Sequence, residues 1–309
     1  GKPYVVYGSL MVDTGTTLTV GAGTRIFFHN NAGMTVAGTL VTDGNFDKPV
    51  LFASDRTEKE YGDVPGQWKG IDFQDCSTGN LLINTEIRNA VIAVKITSID
   101  DGNPDMKISG SKLMHNTVSS LVAQGADIEC VNSLFAHTGF STVSISEGGS
   151  CDFVFCTLAN RWEYGYRQEP VLFIGKGGGI LPVVRIINSV ITGNLIDELV
   201  IDALSGEISG KIYADSSLIK TDTLKSQWWN SNAFIDVQTK GDPRFIDESN
   251  WDLRPDTLSP LIDRAGRTEA LLRPYDIRNM LRPTGVAPDI GAYERQPGEK
   301  KKVTKVGSD

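Results

Sequence analysis

The stretch GSLMVDTGTTLTVGAGTRIFFHNNAGMTVAGTL (residues 8–40) carries four apolar pairs, Leu10/Val12, Leu18/Val20, Ile26/Phe28 and Met34/Val36, spaced eight residues apart. Within each pair the side chains are two residues apart, the period of a strand with one buried face. If three such strands close one turn, the turn repeats every 24 residues, and Met34/Val36 should lie over Leu10/Val12. Val50/Phe52 follow Ile26/Phe28 by the same interval. A chain wound this way stacks its strands in parallel and grows along one axis. The expected fold is all-β: a single-stranded, right-handed parallel β-helix with three strands per coil of about 22–24 residues.

The rest of the chain extends the winding. Thr85, Ser111, Ser133, Cys156, Ser189 and Ser217 are small residues, each followed two places later by an apolar one: Ile87, Leu113, Phe135, Leu158, Ile191 and Ile219. Their spacings of 26, 22, 23, 33 and 28 suit three short strands and three bends, with loops pushed out at the longer intervals. Three residues before each anchor lies a further inward position: Leu82, Ile108, Cys130, Phe153, Ile186 and Ala214. Asn84, Asn132 and Asn188, with Gly110, precede anchors directly and mark a bend that needs left-handed backbone; asparagines stacked there can also hydrogen-bond along the axis. Cys130, Cys151 and Cys156 fall at inward positions, so buried free thiols are expected.

Length and composition agree. A solenoid grows without widening its core, so 309 residues do not require two domains. A net charge of −8 argues against nucleic acid or an anionic membrane as partner. No run reaches the ~18 apolar residues of a membrane span. Gly1 opens almost directly into a strand without a signal core, as expected of a mature or trimmed fragment whose export signal has been removed. The expected organisation is a β-helix over 1–224 with loop insertions near 55–67 and 161–182. A coil or cap segment follows over 225–295, then a polar tail over 296–309. Trp228, Trp229 and Trp251 are expected to help cover the open end of the coil.

Several segments resemble exported bacterial right-handed parallel β-helix repeat proteins of the pectin-lyase-like group, as found on gut anaerobes. They are residues 4–52, Pro65-Gly-Gln-Trp-Lys-Gly-Ile71, Asp242-Pro-Arg-Phe-Ile-Asp247, Leu258-Ser-Pro-Leu-Ile-Asp263 and Pro288-Asp-Ile-Gly-Ala-Tyr-Glu294. The resemblance implies an extracellular or cell-surface location, often as an outer-membrane lipoprotein. It implies no single activity, because one coil carries lyases, hydrolases, adhesins and passenger domains. A protease label would reflect scaffold similarity only.

Two groups of residues stand out as candidate sites. Lys107, Glu129, Asp152 and Arg185, each four before an anchor, should form an outward column with a rise of roughly 4.8 Å per turn. Such a column stabilises neighbouring strands as a charge ladder. As a catalytic set, its carboxylates would serve acid/base work and its cations would stabilise developing negative charge. The second group is Arg161-Trp-Glu-Tyr-Gly-Tyr-Arg167. There Trp162, Tyr164 and Tyr166 alternate, so in an extended loop they face one way and suit sugar rings, while Arg161 and Arg167 suit hydroxyl or acidic groups; the alternative is that the rings pack back against the coil.

His115 and His137 share one position of consecutive turns, without a repeating third ligand for a metal. The acidic stretch 100–105 has oxygen ligands for Ca2+ but lacks the terminal glutamate of an EF-hand loop, so an acidic turn is the simpler reading and no cofactor is required. No serine elbow, HExxH or phosphate loop occurs. The preferred function is a non-catalytic, monomeric surface module that binds a polysaccharide, another glycan or a surface protein. The alternative is a polysaccharide lyase or glycoside hydrolase acting on an acidic glycan.

Overall fold

A computed structural model describes residues 2–99, 102–203, 206–223, 226, 229 and 232–302. Among them the chain forms a right-handed-type parallel β-solenoid of about 8 turns, 43% strand and 4% helix. Three sheets run its length. The first, eight-stranded, begins with Ser9–Val12; the second, nine-stranded, with Thr17–Gly21; the third, nine-stranded, with Tyr4–Val6.

The eight-residue spacing sets this arrangement. Leu10 pairs with Met34 and Val12 with Val36, as the 24-residue winding requires. On the third sheet, however, Ile26 faces Phe52 rather than Val50, a shift of two residues. The turn Asn45–Lys48, closed by an Asn45/Lys48 bridge, lies in the connection that takes up the extra length. A shift of two leaves the inward and outward faces unchanged, so Val50 and Phe52 are both fully buried.

The insertion before Trp68 also follows from the register: Met34 and Val36 pair with Ile71 and Phe73, and the intervening chain projects. Trp68, 1% exposed, stacks on Phe28 at 4.1 Å and donates its indole N–H to the Arg88 carbonyl.

The small anchors stack on the third sheet and form a buried hydroxyl ladder. The Thr85, Ser111, Cys156 and Ser189 N–H groups donate to the hydroxyls of Ser111, Ser133, Ser189 and Ser217 at 3.0–3.2 Å. Only a small polar side chain turns inward there without displacing the apolar core while meeting the backbone donor of the preceding turn. The residue before each anchor is left-handed in all six turns, with φ between 44° and 61° at Asn84, Gly110, Asn132, Phe155, Asn188 and Ser216. Because the asparagines alternate with other residues, they do not bond one another. Asn132 donates instead to the Tyr275 carbonyl, and Asn188 exchanges two bonds with Gly266. Cys130, Cys151 and Cys156 are buried free thiols, whereas Cys76 is exposed.

The C-terminal region divides its work. Trp229, Phe234 and Val237 pack against the main core, and Phe234–Ile235 adds a last strand to the second sheet. The later residues, including those expected in a cap, lie along the flank: Phe245, Leu253, Leu261, Ile277, Ile290 and Tyr293 pack on the outer face of the third sheet. That face changes character along the coil. After Phe27 and Leu51 in the earliest turns, the middle turns present Glu86, Arg88 and Lys112, whereas later ones present Leu134, Ala136, Ala159, Val190 and Leu218. The apolar stretch is where the segment docks. The boundary at Leu224 and the residue Trp228 lie outside the described residues, as do 303–309 of the tail. No helix among the described residues is long and apolar enough to cross a membrane.

Candidate functional site

The charge column lies on the second sheet, where Lys107 pairs with Glu129, Glu129 with Asp152 and Asp152 with Arg185. Its charges are engaged. Lys107 Nζ sits 2.7 Å from Glu129 Oε2, Arg185 is 3.0 Å from Asp152, and Arg273 reaches across from the C-terminal segment to Glu129 Oε1 at 2.9 Å. Burial raises the Glu129 pKa, but hydrogen bonds from Lys107 and Arg273 outweigh it, and the net shift is downward. Burial raises Asp152, against the pull of Arg185. This is the geometry of a ladder of compensating charges.

The aromatic insertion is built differently. Residues 161–182 are not one loop, because Leu172–Gly175 lies within them as a strand of the first sheet. The part before this strand ends at Arg167, whose guanidinium meets Glu198 through bonds of 2.9 and 2.6 Å, both side chains 0% exposed. Glu198 also accepts the Val171 and Leu195 N–H groups. Arg167 therefore fixes the loop from inside rather than facing a ligand. Arg161 stays exposed, 3.8 Å from Glu248.

The three rings do not share one platform. Trp162 and Tyr164 approach each other at 5.2 Å and both lean on His137, at 5.3 and 5.8 Å. Tyr166 is 85% exposed.

Beneath them, the stacking of His115 and His137 brings their Nδ1 atoms to 2.6 Å. Both residues are left-handed, with φ of 59° and 55°, as is Asn89 one turn earlier at 64°. The His115 Nε2 faces Asp63 Oδ1 at 3.4 Å, and His137 Nε2 is buried with no hydrogen-bond partner. Burial, aided by Arg88, lowers the His115 pKa to about 4; burial, aided by His115 and opposed by Asp63, lowers that of His137 to about 3. Trp251 closes the group, stacked on His137 at 4.6 Å and edge-on to His115 at 5.8 Å.

Trp162 and Trp251 also line an open cleft of about 730 Å³. Asn160, Thr192 and Lys220 contribute from the ends of third-sheet strands and the residue beyond, with Glu163 and Glu248 from the two flanking segments. The lining mixes aromatic rings with charges of both signs and side-chain hydroxyl and amide groups. The column is on another sheet and contributes nothing to this cleft.

Among the described residues no group of three or more His, Cys, Asp or Glu forms a metal set. Asp100 and Asp101 of the acidic stretch lie outside the described residues, and Asp105 accepts bonds from Ser98 and from the Asp127 N–H. Asp63, Glu198 and the role of Trp251 had no signal in the sequence, since each acts through residues distant in the chain. The histidine stacking did have one, the shared place after the anchors. No protein-family model and no curated protein matches the chain.

Proposed function

We propose that this chain is an exported, surface-located β-solenoid module, akin to the pectin-lyase-like proteins its segments resemble, and that it binds carbohydrate in the cleft between Trp162 and Trp251. The cleft carries the reading. Indole faces stack on the C–H faces of sugar rings, and flanking amide, hydroxyl and charged groups supply hydroxyl partners. Charges of both signs suit a neutral glycan at least as well as an acidic one.

Titrating the protein with maltohexaose, cellohexaose, xylohexaose and hexagalacturonate, by calorimetry, tests it. Binding by at least one, weakened about tenfold or more by Trp162→Ala with the fold intact, is the expected result. No binding across the panel, or binding indifferent to Trp162, refutes the reading.

The opposed pKa shifts of Glu129 and Asp152 on paired strands favour a second reading, a polysaccharide lyase or hydrolase acting on an acidic glycan. Its test is the release of unsaturated product or new reducing ends from acidic polysaccharides, lost in Asp152→Asn. Against it stands the cation pairing already made by both carboxylates.

A further inference from the structure

The cleft between Trp162 and Trp251 carries charges of both signs on its walls, but its floor is cationic. Arg161 faces Glu248 at 3.8 Å and Lys302 faces Asp242 at 3.5 Å, so these charges of the lining are already paired. Lys220 has no carboxylate at ion-pair distance among the described residues. Its ammonium donates to the Gly193 carbonyl at 2.7 Å, a bond that fixes the head group and leaves its other N–H groups to spare.

Two further donors stand beside it. Ile219 pairs with Ile191, so Lys220 lies one turn on from Thr192 on the outer face of the third sheet. Thr192 is 7% exposed, lines the cleft, and has a hydroxyl without a hydrogen-bond partner among the described residues. Asn194 lines the cleft as well, and its Oδ1 accepts from Arg167 Nη2 at 2.8 Å. Because a guanidinium can only donate, this bond sets the flip of the amide and leaves its NH2 end to donate elsewhere. The backbone between the two is held in place: Gly193 lies so close to the buried Arg167–Glu198 pair that a Cβ there would overlap it. Thr192, Asn194 and Lys220 thus offer donors around one residue, with a positive charge among them. Glu163, the remaining carboxylate of the lining, stands on the insertion wall.

We propose that Thr192, Asn194 and Lys220 form an oxyanion site on the cleft floor, which takes a sulfate or phosphate ester carried by a glycan whose ring sits between Trp162 and Trp251. The proposal rests on the carbohydrate reading above. The number of donors favours an ester over a carboxylate. A carboxylate brings two oxygens in one plane, whereas either ester brings a tripod of three, one for each donor group. Lysine serves such a group as a point charge, and the hydroxyl and amide fix its orientation.

Matched ligands isolate the ester. Chondroitin sulfate hexasaccharide and its desulfated form share every carboxylate and differ in sulfate alone; maltohexaose with and without a 6-phosphate does the same for phosphate. Both pairs are titrated by calorimetry against the full chain and three variants, with folding checked by circular dichroism. Lys220→Gln keeps an N–H for the Gly193 carbonyl but loses the charge. Asn194→Asp keeps an oxygen for Arg167 but replaces the free amide donor with an acceptor. Trp162→Ala removes part of one wall. In at least one pair, wild type should bind the ester about tenfold or more tighter than its parent, and each floor variant should bring the ester to the affinity of the parent. The pair that shows this distinguishes sulfate from phosphate. Equal binding of ester and parent in both pairs, with affinity falling in Trp162→Ala, overturns this inference and leaves the carbohydrate reading standing. So does a preference for the ester that survives in folded Lys220→Gln and Asn194→Asp. No wild-type binding to these ligands or to the four hexasaccharides overturns the carbohydrate reading and the inference together.

Discussion

Replacing Arg167 by methionine should be among the most damaging single changes in the chain. The side chain is 0% exposed, as is its partner Glu198, and the two share bonds of 2.9 and 2.6 Å. Arg167 further donates to the Glu169 carbonyl and to Asn194. Methionine fills a similar volume but leaves the Glu198 carboxylate buried with only the Val171 and Leu195 N–H groups. Removing one partner of a buried pair costs about 3–5 kcal/mol. Glu198→Met should cost a comparable amount, because it strands the guanidinium and orphans the two N–H groups.

The double variant separates these contributions. With both charges gone the desolvation penalty disappears, yet two backbone donors remain unpaired at about 1–3 kcal/mol each. The double variant is therefore expected to be less damaged than the sum of the singles, but still short of wild type. Urea denaturation followed by far-UV circular dichroism gives the three values, and near-UV dichroism reports whether Trp162 keeps its packing. A single Arg167→Met variant within 1 kcal/mol of wild type would refute the reasoning, since no surface pair of this kind could then be distinguished from a buried one.

Four further outcomes follow from the same geometry. His115 and His137, faced by Asp63 and Arg88, have folded pKa values of about 4 and 3, below the ordinary 6.5, so the unfolded chain takes up protons first. Their contribution to stability is complete above pH 6.5 and is lost as pH falls from there through 4 and 3; His115→Asn/His137→Asn should flatten that acid limb. Glu294 has the opposite sign: burial, reinforced by Asp289 and opposed by Arg282, raises its pKa to about 7, so its contribution is present below pH 4.5 and lost as pH rises through 7. Glu294→Gln should remove that decline in thermal-unfolding midpoints measured from pH 4 to 8. Ser133→Ala should cost about 1–3 kcal/mol by urea denaturation, because it strands the buried Ser111 N–H that the Ser133 hydroxyl accepts at 3.2 Å. In a thiol assay the native protein should expose only Cys76 to rapid reaction, with Cys130, Cys151 and Cys156 reacting after denaturation; three or more fast thiols in native protein would contradict the packed core.

The winding was legible because it is local. Strand parity at Leu10/Val12 and the position of each anchor repeat within one turn, so neighbouring residues announce the same face again and again. The register slip at Ile26 and Phe52 was not legible, since a two-residue change in a turn preserves every inward and outward assignment. The charge column was foreseen residue by residue, but Arg273 was not, because it comes from a segment with no repeat to place it. For the aromatic insertion, alternation allows two readings, rings that face one way toward a sugar or rings packed back against the coil. The structure takes the second for Trp162 and Tyr164, which fold onto His137, and turns Arg167 into the core, a choice made by the histidine pair and Glu198 rather than by spacing.

One signal for the flank was present all along. Outward positions of a solvated sheet should stay polar, and in the middle turns Glu86, Arg88 and Lys112 obey this, although Phe27 and Leu51 before them do not. From Leu134 onward the same face becomes apolar at Ala136, Ala159, Val190 and Leu218, which requires something to cover it. The Phe245–Tyr293 segment meets that requirement, and in doing so it brings Trp251 to the histidine pair. A flat sheet cannot enclose a ligand; concavity needs two walls that rise from it. Here one wall is the insertion pinned by Arg167, and the other is the segment recruited by an apolar face. The cleft is thus a product of the two places where the repeat is broken, and its walls are held by contacts that the repeat itself does not supply.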